Sequence, residues 1–437
     1  MSKIDKQQGG GLMIIYVVRP GDSLYRIANR YKTSVEQIAN DNDLTPQQSL
    51  VVGQSLVIVT PKQYTVQPGD TLYQIGIRFN VSVQQLAEAN DLSASRPIYP
   101  GMVLTIPQPP QPTIVVNAYI EPRKNLAVTE RTAREAAPYL TYIAPFSYQI
   151  KRDGTLTSLE LDDLPAIATS NGATLMMVIT NIENNQFSAE LGGEILHDEQ
   201  KQNRLLDEII QRAKRYGFSD IHFDIEHLYP KDREAYNQFL RKARDRLHAN
   251  GYMISTALAP KTSATQQGQW YEAHDYRAHG EIVDFVIIMT YEWGYSGGPP
   301  MAVSPIGPVR RVLEYALTEI PSKKIMMGQN LYGYDWTLPY RPGGKYAKVV
   351  SPKEAVNLAR RYQQSIQYDS VAQAPHFRYY DEQGREHEVW FEDARSMRAK
   401  FSLLQELKLR GISYWRLGIP FRQNWVLLDH TFQVKKS

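Results

Sequence analysis

The hydrophobic pattern from residue 114 onward alternates between short apolar runs and longer amphipathic stretches. The short runs predict buried strands, because they are mainly apolar and have strand length. The stretches between them, such as "EQKQNRLLDEIIQRAKRYG", have helical spacing and end in Gly, as many helices do. Eight strands that alternate with helices predict an α/β fold, a (β/α)8 TIM barrel, with a doubly wound open sheet as the structural alternative. The strand candidates are "IVVNAYI", "LTYIAPFSY", "ATLMMVIT", "IHFDIE", "YMISTALA", "DFVIIMTY", "KIMMGQNLYG" and "GISYWRLG".

A second pattern repeats within the N-terminal region. The stretch "YVVRPGDSLYRIANRYKTSVEQIANDNDL" from Tyr16 returns as "YTVQPGDTLYQIGIRFNVSVQQLAEANDL" from Tyr64. Each copy predicts a short strand, a turn at Pro-Gly-Asp, a helix capped by Ser23 or Thr71, a second helix and a closing strand. The region therefore contains two copies of a βααβ module of about 45 residues.

The proline-rich segment "PQPPQPT" separates these modules from the predicted barrel. Such a density of proline indicates a stiff, extended spacer. We therefore expect a leader at 1–15, modules at 16–59 and 64–107, a linker at 108–113 and a barrel domain at 114–437.

Composition narrows the class of protein. The 42% hydrophobic and 22% charged fractions are typical of a soluble globular chain, and no run of 18 apolar residues could span a bilayer. The net charge of +3 comes from scattered side chains and indicates no nucleic-acid surface. The absence of cysteine excludes disulfides, thiolate metal sites and cysteine nucleophiles. The start "MSKIDKQQGGGLMIIYVV" lacks the features of a secretory signal.

The candidate chemistry lies in "FSDIHFDIEHLYP", where Asp220, His222, Asp224 and Glu226 occupy every second position. Successive side chains of a barrel strand alternate between the lumen and the surrounding helices. We expect His222, Asp224 and Glu226 to face the lumen, with Glu226 at the C-terminal mouth, where barrel active sites lie. Carboxylates about 7 Å apart on a buried face must be protonated or hydrogen-bonded. A neutral upper carboxyl could act as a general acid, whereas the alternative is a polar network that only fills the lumen.

The two N-terminal modules resemble LysM, the peptidoglycan- and chitin-binding repeat, in their "PGD[ST]L" turn, their "N-D-L" motif and their final "G-x-x-L-x-I". The resemblance implies a sugar groove between the first turn and the loop after the second helix. For Asp22 and Asp70 the alternative is that they only form the turn and cap the helix. The residues implied to lie beside the glycan are Gly21, Asp22, Ser23, Leu24, Asn42, Asp43 and Leu44, with Gly69, Asp70, Thr71, Leu72, Asn90, Asp91 and Leu92 in the second copy.

The barrel region resembles family 18 glycoside hydrolases. The acidic strand is similar to that family's "DGxDxDxE" signature, "MTYEWGYSGGPPMAVSPI" matches its "M-x-Y-[DE]", and "VWFEDARSMRAKFSLLQELKLRGISYWRLG" matches its approach to the eighth strand. Together with the LysM repeats, the chain resembles the cortical-fragment-lytic N-acetylglucosaminidases of endospore-forming bacteria.

This resemblance implies retaining hydrolysis without an enzyme nucleophile. Glu226 would protonate the glycosidic oxygen while the 2-acetamido carbonyl of the substrate attacks the anomeric carbon. Asp224 would bind the acetamido N–H, and Tyr291 would donate its hydroxyl to the acetamido oxygen. Trp415 would form the floor of the sugar site, and Glu292 would bind a sugar hydroxyl. Packing within the barrel is the alternative role for Tyr291 and Trp415.

Further residues are implied to contact substrate, although for those after the seventh strand loop packing is the alternative. They are His222, Tyr332, Asp335 and Trp336. Two positions depart from the family pattern, since Ser219 and His222 stand where aspartates are usual. We hypothesise that His222 hydrogen-bonds Asp224 and favours its anionic form.

The function that these features favour is cleavage of β-1,4 bonds after N-acetylglucosamine in peptidoglycan from spore cortex, with LysM as the tether. One alternative changes the polymer to chitin or chitooligosaccharides, and another is a non-catalytic wall-binding or spore coat protein. A metal-dependent deacetylase is disfavoured, because the nine histidines form no ligand pair on a strand end. We expect no cofactor, no metal, no nucleic-acid partner and no membrane insertion. The expected chain is a monomer at the spore coat, spore cortex or cell wall, which it reaches without a secretory signal peptide.

Overall fold

The computed structural model describes residues 13–60, 63–79, 81–107, 111–122 and 126–436. Residues 1–12 of the predicted leader and 108–110 of the predicted linker lie outside the described residues. The chain divides into two compact units, Met1–Pro112 with Arg422–Gln433, and Thr113–Phe421 with Val434–Ser437.

The first unit contains the two repeated modules in the predicted βααβ order. In each module the two strands pair antiparallel, with Tyr16 opposite Leu56 and Tyr64 opposite Leu104. Ser23 and Thr71 accept hydrogen bonds from backbone N–H groups three residues later, which confirms both as helix caps. The elements are β1 (Met13–Val17), α1 (Leu24–Tyr31), α2 (Val35–Asp41) and β2 (Ser55–Val59), then β3 (Gln63–Thr65), α3 (Leu72–Phe79), α4 (Val83–Glu88) and β4 (Val103–Thr105).

The remaining elements run from residue 113 to residue 434. They are β5 (Thr113–Ile120), α5 (Leu126–Ala136), β6 (Tyr142–Pro145), β7 (Tyr148–Gln149), α6 (Leu164–Ser170), β8 (Thr174–Thr180), β9 (Ile182–Glu183), β10 (Gln186–Phe187), α7 (Ala189–Leu196), α8 (Glu199–Tyr216), β11 (Phe218–Asp224), α9 (Arg233–Ala249), β12 (Met253–Leu258), α10 (Tyr276–Ile282), β13 (Phe285–Ile288), α11 (Ile306–Glu319), β14 (Ile325–Asn330), β15 (Gly333–Thr337), β16 (Lys348–Val350), α12 (Pro352–Arg361), β17 (Gln367–Asp369), β18 (Ala374–Tyr380), β19 (Glu386–Trp390), α13 (Ala394–Glu406), β20 (Gly411–Trp415), α14 (Arg422–Thr431) and β21 (Gln433–Val434).

Eight parallel strands close into a ring, which confirms the predicted barrel. The order is β5, β6, β8, β11, β12, β13, β14 and β20, and β20 pairs with β5 to complete the ring. One buried cluster fills part of the lumen with side chains such as Tyr119, Met176, Val178, Phe285 and Met326. Because the lumen is packed, its polar side chains are held away from water.

A five-stranded antiparallel sheet is inserted between β14 and β20. Its order is β16, β15, β19, β18 and β17. The sequence prediction did not include it, although "HFRYY" and "EHEVW" alternate around the turn "DEQG", which is a hairpin signal. The insertion follows the seventh barrel strand and so begins beside the mouth of the barrel.

The last helix lies in the same compact unit as the two modules. The sequence pattern assigned 114–437 to the barrel domain, whereas α14 belongs to the first compact unit. No described helix is both long and apolar enough to cross a bilayer.

Ring closure depends on a glycine, which generates a testable prediction. Gly411 pairs with Val115, and a Cβ at Gly411 would lie 1.8 Å from the Val115 carbonyl oxygen. We expect Gly411→Ala to lower the free energy of unfolding by about 3 kcal/mol, because the two strands must separate locally. Urea unfolding followed by tryptophan fluorescence measures this change.

Gly307→Ala in α11 is the matched control. A Cβ at Gly307 meets only Arg311 Nη1, at an ordinary 3.6 Å. We expect its stability to stay within about 1 kcal/mol of the parent. Equal stability of the Gly411→Ala variant and the parent would contradict the close approach described here.

Candidate active site

The acidic strand β11 places its polar side chains in the barrel lumen, as the alternation predicted. Asp220 and His222 are fully buried, and Asp224 and Glu226 are 5% and 8% exposed. On the opposite face, Phe223 packs edge-to-face against Phe239 of α9, with ring centroids 5.3 Å apart. Glu226 follows the end of β11, so its carboxyl lies at the C-terminal mouth.

The carboxyl group of Glu226 has one close hydrogen-bond donor. The indole Nε1–H of Trp270 donates to Glu226 Oε2 at 2.6 Å. Burial raises the pKa of Glu226 to about 7, and the Trp270 hydrogen bond opposes that rise. A carboxyl with this pKa holds a proton near neutral pH and can release it, which is what a general acid requires.

The backbone of Glu226 is fixed by a residue of the neighbouring strand end. Asn181, directly after β8, donates from Nδ2 to Glu226 O at 2.9 Å and accepts from Glu226 N at 3.0 Å. This two-way bond satisfies both backbone groups of Glu226 where the strand pairing ends. The acid is therefore positioned through its main chain as well as through its carboxyl group.

Asp224 lies below the acid and is strongly perturbed. Burial, followed by the nearby charge of Glu226, raises the pKa of Asp224 well above its ordinary value. Its Oδ1 atom is buried without a hydrogen-bond partner among the described residues. An unpartnered carboxyl oxygen beside the acid is suited to accept a hydrogen bond from a substrate amide.

The expected hydrogen bond from His222 to Asp224 does not form, so that hypothesis was wrong. His222 Nε2 bonds Tyr119 Oη and Nδ1 bonds Ser255 Oγ, both at 2.8 Å, and Ser255 donates to Asp220 Oδ1 at 2.6 Å. Both imidazole nitrogens are therefore occupied. Burial lowers the pKa of His222 to about 3, so the ring is neutral at pH 7.

The hydrogen bond from Ser255 to Asp220 determines which atoms donate and which accept in the rest of this chain. Because Ser255 donates to Asp220, Ser255 accepts from His222 Nδ1–H, and His222 Nε2 accepts from Tyr119. The fully buried His222 ring lies beneath the site and presents no surface to a sugar. Ser219, the other departure from the family pattern, accepts from Thr174 Oγ1 at 3.1 Å.

Tyr291, which follows β13, packs closely over β14. A Cβ at Gly328 would lie 2.9 Å from Tyr291 Cε1 and 2.5 Å from Ile288 O, so only glycine fits beneath this ring. Burial, with Asp224 and Glu226 as further causes, raises the pKa of Tyr291 well above its ordinary value. The hydroxyl of Tyr291 therefore keeps its proton and can donate it in a hydrogen bond.

Trp415 ends β20 and packs among aromatic side chains at the mouth. Its ring is edge-to-face with Phe146 at 4.8 Å and with Tyr119 at 5.4 Å between centroids. The side chain is half-buried, so part of the indole remains accessible. A fixed, partly accessible indole can support the apolar face of a sugar ring.

Glu292 adopts a left-handed backbone with φ of 66° next to Tyr291. Its carboxylate accepts hydrogen bonds from the hydroxyls of Tyr332 and Tyr334. Burial raises the pKa of Glu292, and both tyrosines oppose that rise. The hydroxyl of Tyr332, a predicted substrate contact, is therefore hydrogen-bonded to Glu292 in this structure.

The side chains of Asp335 and Trp336, also predicted to contact substrate, form hydrogen bonds with other residues of the chain. Asp335 accepts from Tyr379 Oη at 2.7 Å and bonds His387 Nδ1 at 2.8 Å. Trp336 is 2% exposed, and its Nε1–H donates to Gly298 O. Asp335 therefore links β15 to β18 and β19, and Trp336 links β15 to the loop after β13.

The aspartates of the LysM turns bond within their own turns. Asp22 accepts from Tyr16 Oη at 2.6 Å and from Arg19 N at 2.8 Å, and Asp70 has the equivalent partners at the same distances. Gly21 and Gly69 have φ values of 81° and 86°, which suit glycine at these turns. The turns are therefore built alike in the two modules.

The other predicted LysM residues divide between core and loop. Leu24 and Leu72 are buried, and Leu44 and Leu92 pack against the same module cores. Asn42 and Asn90 each join the second helix to the closing strand through three hydrogen bonds. The modules differ at one end, because Arg422 N donates to Asp43 Oδ2 and Gln423 Nε2 donates to Asn42 Oδ1. Asp91 is exposed.

Sequence reasoning missed Asn181, Trp270 and Tyr119. The sequence does contain an indication for Asn181, since a polar residue directly after a barrel strand lies at the mouth of the barrel. Trp270 lies in the long loop between β12 and α10, where the pattern predicts no orientation. Within the described ranges, no group of three or more His, Asp or Glu side chains is placed to hold a metal ion.

Comparison with known proteins agrees with this geometry. The model of glycosyl hydrolases family 18 matches residues 113–419, and the LysM domain model matches 16–59 and 64–107. The chain belongs to glycosyl hydrolases family 18. Its barrel is a glycosidase domain, preceded by two LysM domains.

Relatives share the whole architecture. The chain is 65% identical over 428 residues to the cortical fragment-lytic enzyme of Bacillus subtilis, covering 97% of this chain and 99% of that protein. It is 36% identical to the putative sporulation-specific glycosylase YdhD of the same organism, covering 97% and 100%. The crystal structure of the spore cortex-lytic enzyme SleL of Bacillus megaterium is similar with a TM-score of 0.88, at 52% identity, covering 98% of this chain and 100% of that one.

The Trp270 hydrogen bond generates a prediction about pH dependence. A donor to the carboxylate stabilises the ionised form of Glu226, so removing it raises the pKa of the acid. We expect Trp270→Phe to move the alkaline limb of kcat/KM upward by about one pH unit, since activity is lost as Glu226 deprotonates. Initial rates measured from about pH 5 to about pH 10 give the size of the shift.

Trp390→Phe is the matched control for this shift. Its indole N–H donates to Glu388 Oε1 of the same strand, β19, and so makes no hydrogen bond to Glu226. We expect its alkaline limb to coincide with that of the parent. An unmoved limb in the Trp270→Phe variant would refute the role assigned to that hydrogen bond.

Proposed function

We propose that this chain cleaves β-1,4 bonds after N-acetylglucosamine in peptidoglycan fragments of the spore cortex. The observation that carries the proposal is the buried pair of Asp224 and Glu226, whose pKa values are both raised, beneath a mouth lined by Tyr291 and Trp415. Relatives at 65% and 52% identity carry names of cortex-lytic enzymes, which supports the polymer.

Glu226 is the general acid. Its pKa near 7 keeps a proton available for the glycosidic oxygen. As the bond to the leaving sugar breaks, the carboxylate that remains is stabilised by the Trp270 N–H at 2.6 Å. The same carboxylate then accepts a proton from the water that completes hydrolysis.

The substrate supplies the nucleophile in this mechanism. The carbonyl oxygen of the 2-acetamido group attacks the anomeric carbon and forms an oxazolinium ion, which water opens with retention of configuration. Asp224 accepts the acetamido N–H through its unpartnered Oδ1, and this hydrogen bond stabilises the positive intermediate. Tyr291 donates its hydroxyl to the acetamido oxygen and so orients the attacking group.

The remaining residues fix the sugar. Trp415 forms the floor against its apolar face, and the Glu292 carboxylate binds a hydroxyl. His222 acts beneath the site, through Tyr119, whose ring packs on Trp415 at 5.4 Å. The Trp415 floor is therefore in contact with Tyr119, the first member of the hydrogen-bonded chain below it.

The LysM domains tether the enzyme to its polymer. Binding at one point of a glycan raises the local concentration of the remaining bonds, without any change in the catalytic site. We propose the turn and loop residues named above as the glycan contacts, and we place the protein at the spore cortex or cell wall. The monomeric state belongs to the same proposal.

Substitution of the acid tests the mechanism. We expect Glu226→Gln to lower the release of new reducing ends from cortex fragments by at least about a thousandfold, because the amide has no acidic proton. Mass spectrometry of the products identifies the sugar at each new end. Cosedimentation with peptidoglycan should stay at the level of the parent.

Chitin oligomers are the comparison substrate, because the acetamido-binding residues accept N-acetylglucosamine from either polymer. A chain that cleaved only chitin oligomers would replace the proposed polymer. Release from cortex fragments by the Glu226→Gln variant at the parent rate would reject the mechanism.

A further inference from the structure

A cavity of about 350 Å³ adjoins the catalytic residues on one side. It lies between the loop after β12, the loop after β13 and the first turns of α11. The lining residues that bear on its chemistry are Trp270, Tyr271, Tyr291, Glu292, Trp293 and Arg311. Since Tyr291, Glu292 and Trp270 also belong to the site described above, the cavity continues that site.

The cavity lies on the side of the leaving group. Trp415 ends β20, which lies opposite β11 in the ring, whereas the acid Glu226 follows β11. For Glu226 to protonate the glycosidic oxygen of a sugar on Trp415, that oxygen must lie on the side of β11. The cavity is bordered by the two loops that follow β12 and β13, next to β11, and Trp270 contacts the acid directly. The sugar beyond the broken bond enters this space.

Arg311 gives the cavity an available cation. Its side chain is exposed and makes no hydrogen bond or ion pair with any part of the chain that the structure describes. Its neighbour Arg310 instead pairs with Glu406 at 2.6 Å. Among the described lining residues, Glu292 is the one acidic side chain, and Tyr332 and Tyr334 already donate to it.

These features identify the group that the cavity receives. A guanidinium presents several donors in a plane, which matches a carboxylate, and the two indoles provide faces for a sugar ring. In peptidoglycan the sugar after N-acetylglucosamine is a muramoyl residue whose 3-O-lactyl group ends in a carboxylate or carries a peptide with carboxylates. The corresponding sugar of chitin carries no such group.

We propose that Arg311 binds a carboxylate on the 3-O substituent of the leaving muramoyl sugar, so that this cavity distinguishes peptidoglycan from chitin. The inference rests on the proposed function and adds the specificity residue to it. The carboxylate has two sources, the lactyl group itself and the stem peptide. A muramic lactam, in which that carboxyl is internally amidated, lacks the lactyl source.

Four tetrasaccharides test the proposal on the full-length protein. Three alternate N-acetylglucosamine with a muramoyl sugar that carries a free lactyl group, a tetrapeptide or a lactyl amide, and the fourth is chitotetraose. We expect Arg311→Gln to lower the ratio of kcat/KM for a carboxylate substrate to kcat/KM for the amide about tenfold, mainly through KM. Loss on the free lactyl substrate assigns the lactyl carboxylate, and loss confined to the peptide substrate assigns the peptide. Arg311→Lys should restore part of the ratio.

Arg310→Gln is the matched control, because it removes the same charge one residue away on the same helix. We expect its substrate ratios to equal those of the parent. Equal losses on all four substrates, or unchanged ratios, would overturn the role of Arg311. If the parent protein cleaves none of the muramoyl substrates, the proposed function itself fails. If it cleaves them and Arg311→Gln shows no selectivity, only the present inference fails.

Discussion

Two carboxyl groups two residues apart, at a barrel mouth that excludes most water, dominate the chemistry of this protein. Ionising both Asp224 and Glu226 there is energetically unfavourable, because burial disfavours each charge and the two negative charges repel each other. Their raised pKa values retain protons near neutral pH. The Trp270 donor, the Asn181 backbone bonds and the close packing of Tyr291 all serve to place atoms around this pair.

Below the pair, the barrel uses neutral polar groups rather than further charge. The Tyr119, His222, Ser255 and Asp220 chain satisfies the imidazole on both sides, and burial keeps the imidazole uncharged. Burial raises the pKa of Asp220 to about 7, so this carboxyl also resists ionisation. A histidine at this depth therefore adds no charge beneath Asp224, whereas a carboxylate there would compete with it for a proton. The departure from the family signature therefore changes the electrostatics of the strand.

Local patterns predicted the barrel, the βααβ modules and the inward register of β11, because strand length, helical spacing and alternation depend on neighbouring residues in the chain. The partners of His222 were mispredicted for the opposite reason. Tyr119 and Ser255 come from two other strands, and only the closed ring brings them to the imidazole. Trp270 was missed because a long loop has no periodicity from which to infer its direction. The roles predicted for Glu226, Asp224 and Trp415 needed the family resemblance, since spacing alone offers a lumen network equally well.

The hydrogen bonds between Glu292 and the start of the inserted sheet limit how the wall of the cleft can change in structure. Its two donors, Tyr332 and Tyr334, lie where the chain passes from β14 into the insertion. Displacing that segment would leave the half-buried Glu292 carboxyl group without these two donors, so we expect the wall of the cleft and the first strand of the insertion to unfold together. The edge strand β17 lies outside this constraint, whereas β16 pairs directly with Tyr334 in the first strand of the insertion. We therefore expect changes in length and sequence to be tolerated better at β17 than at the base of the insertion.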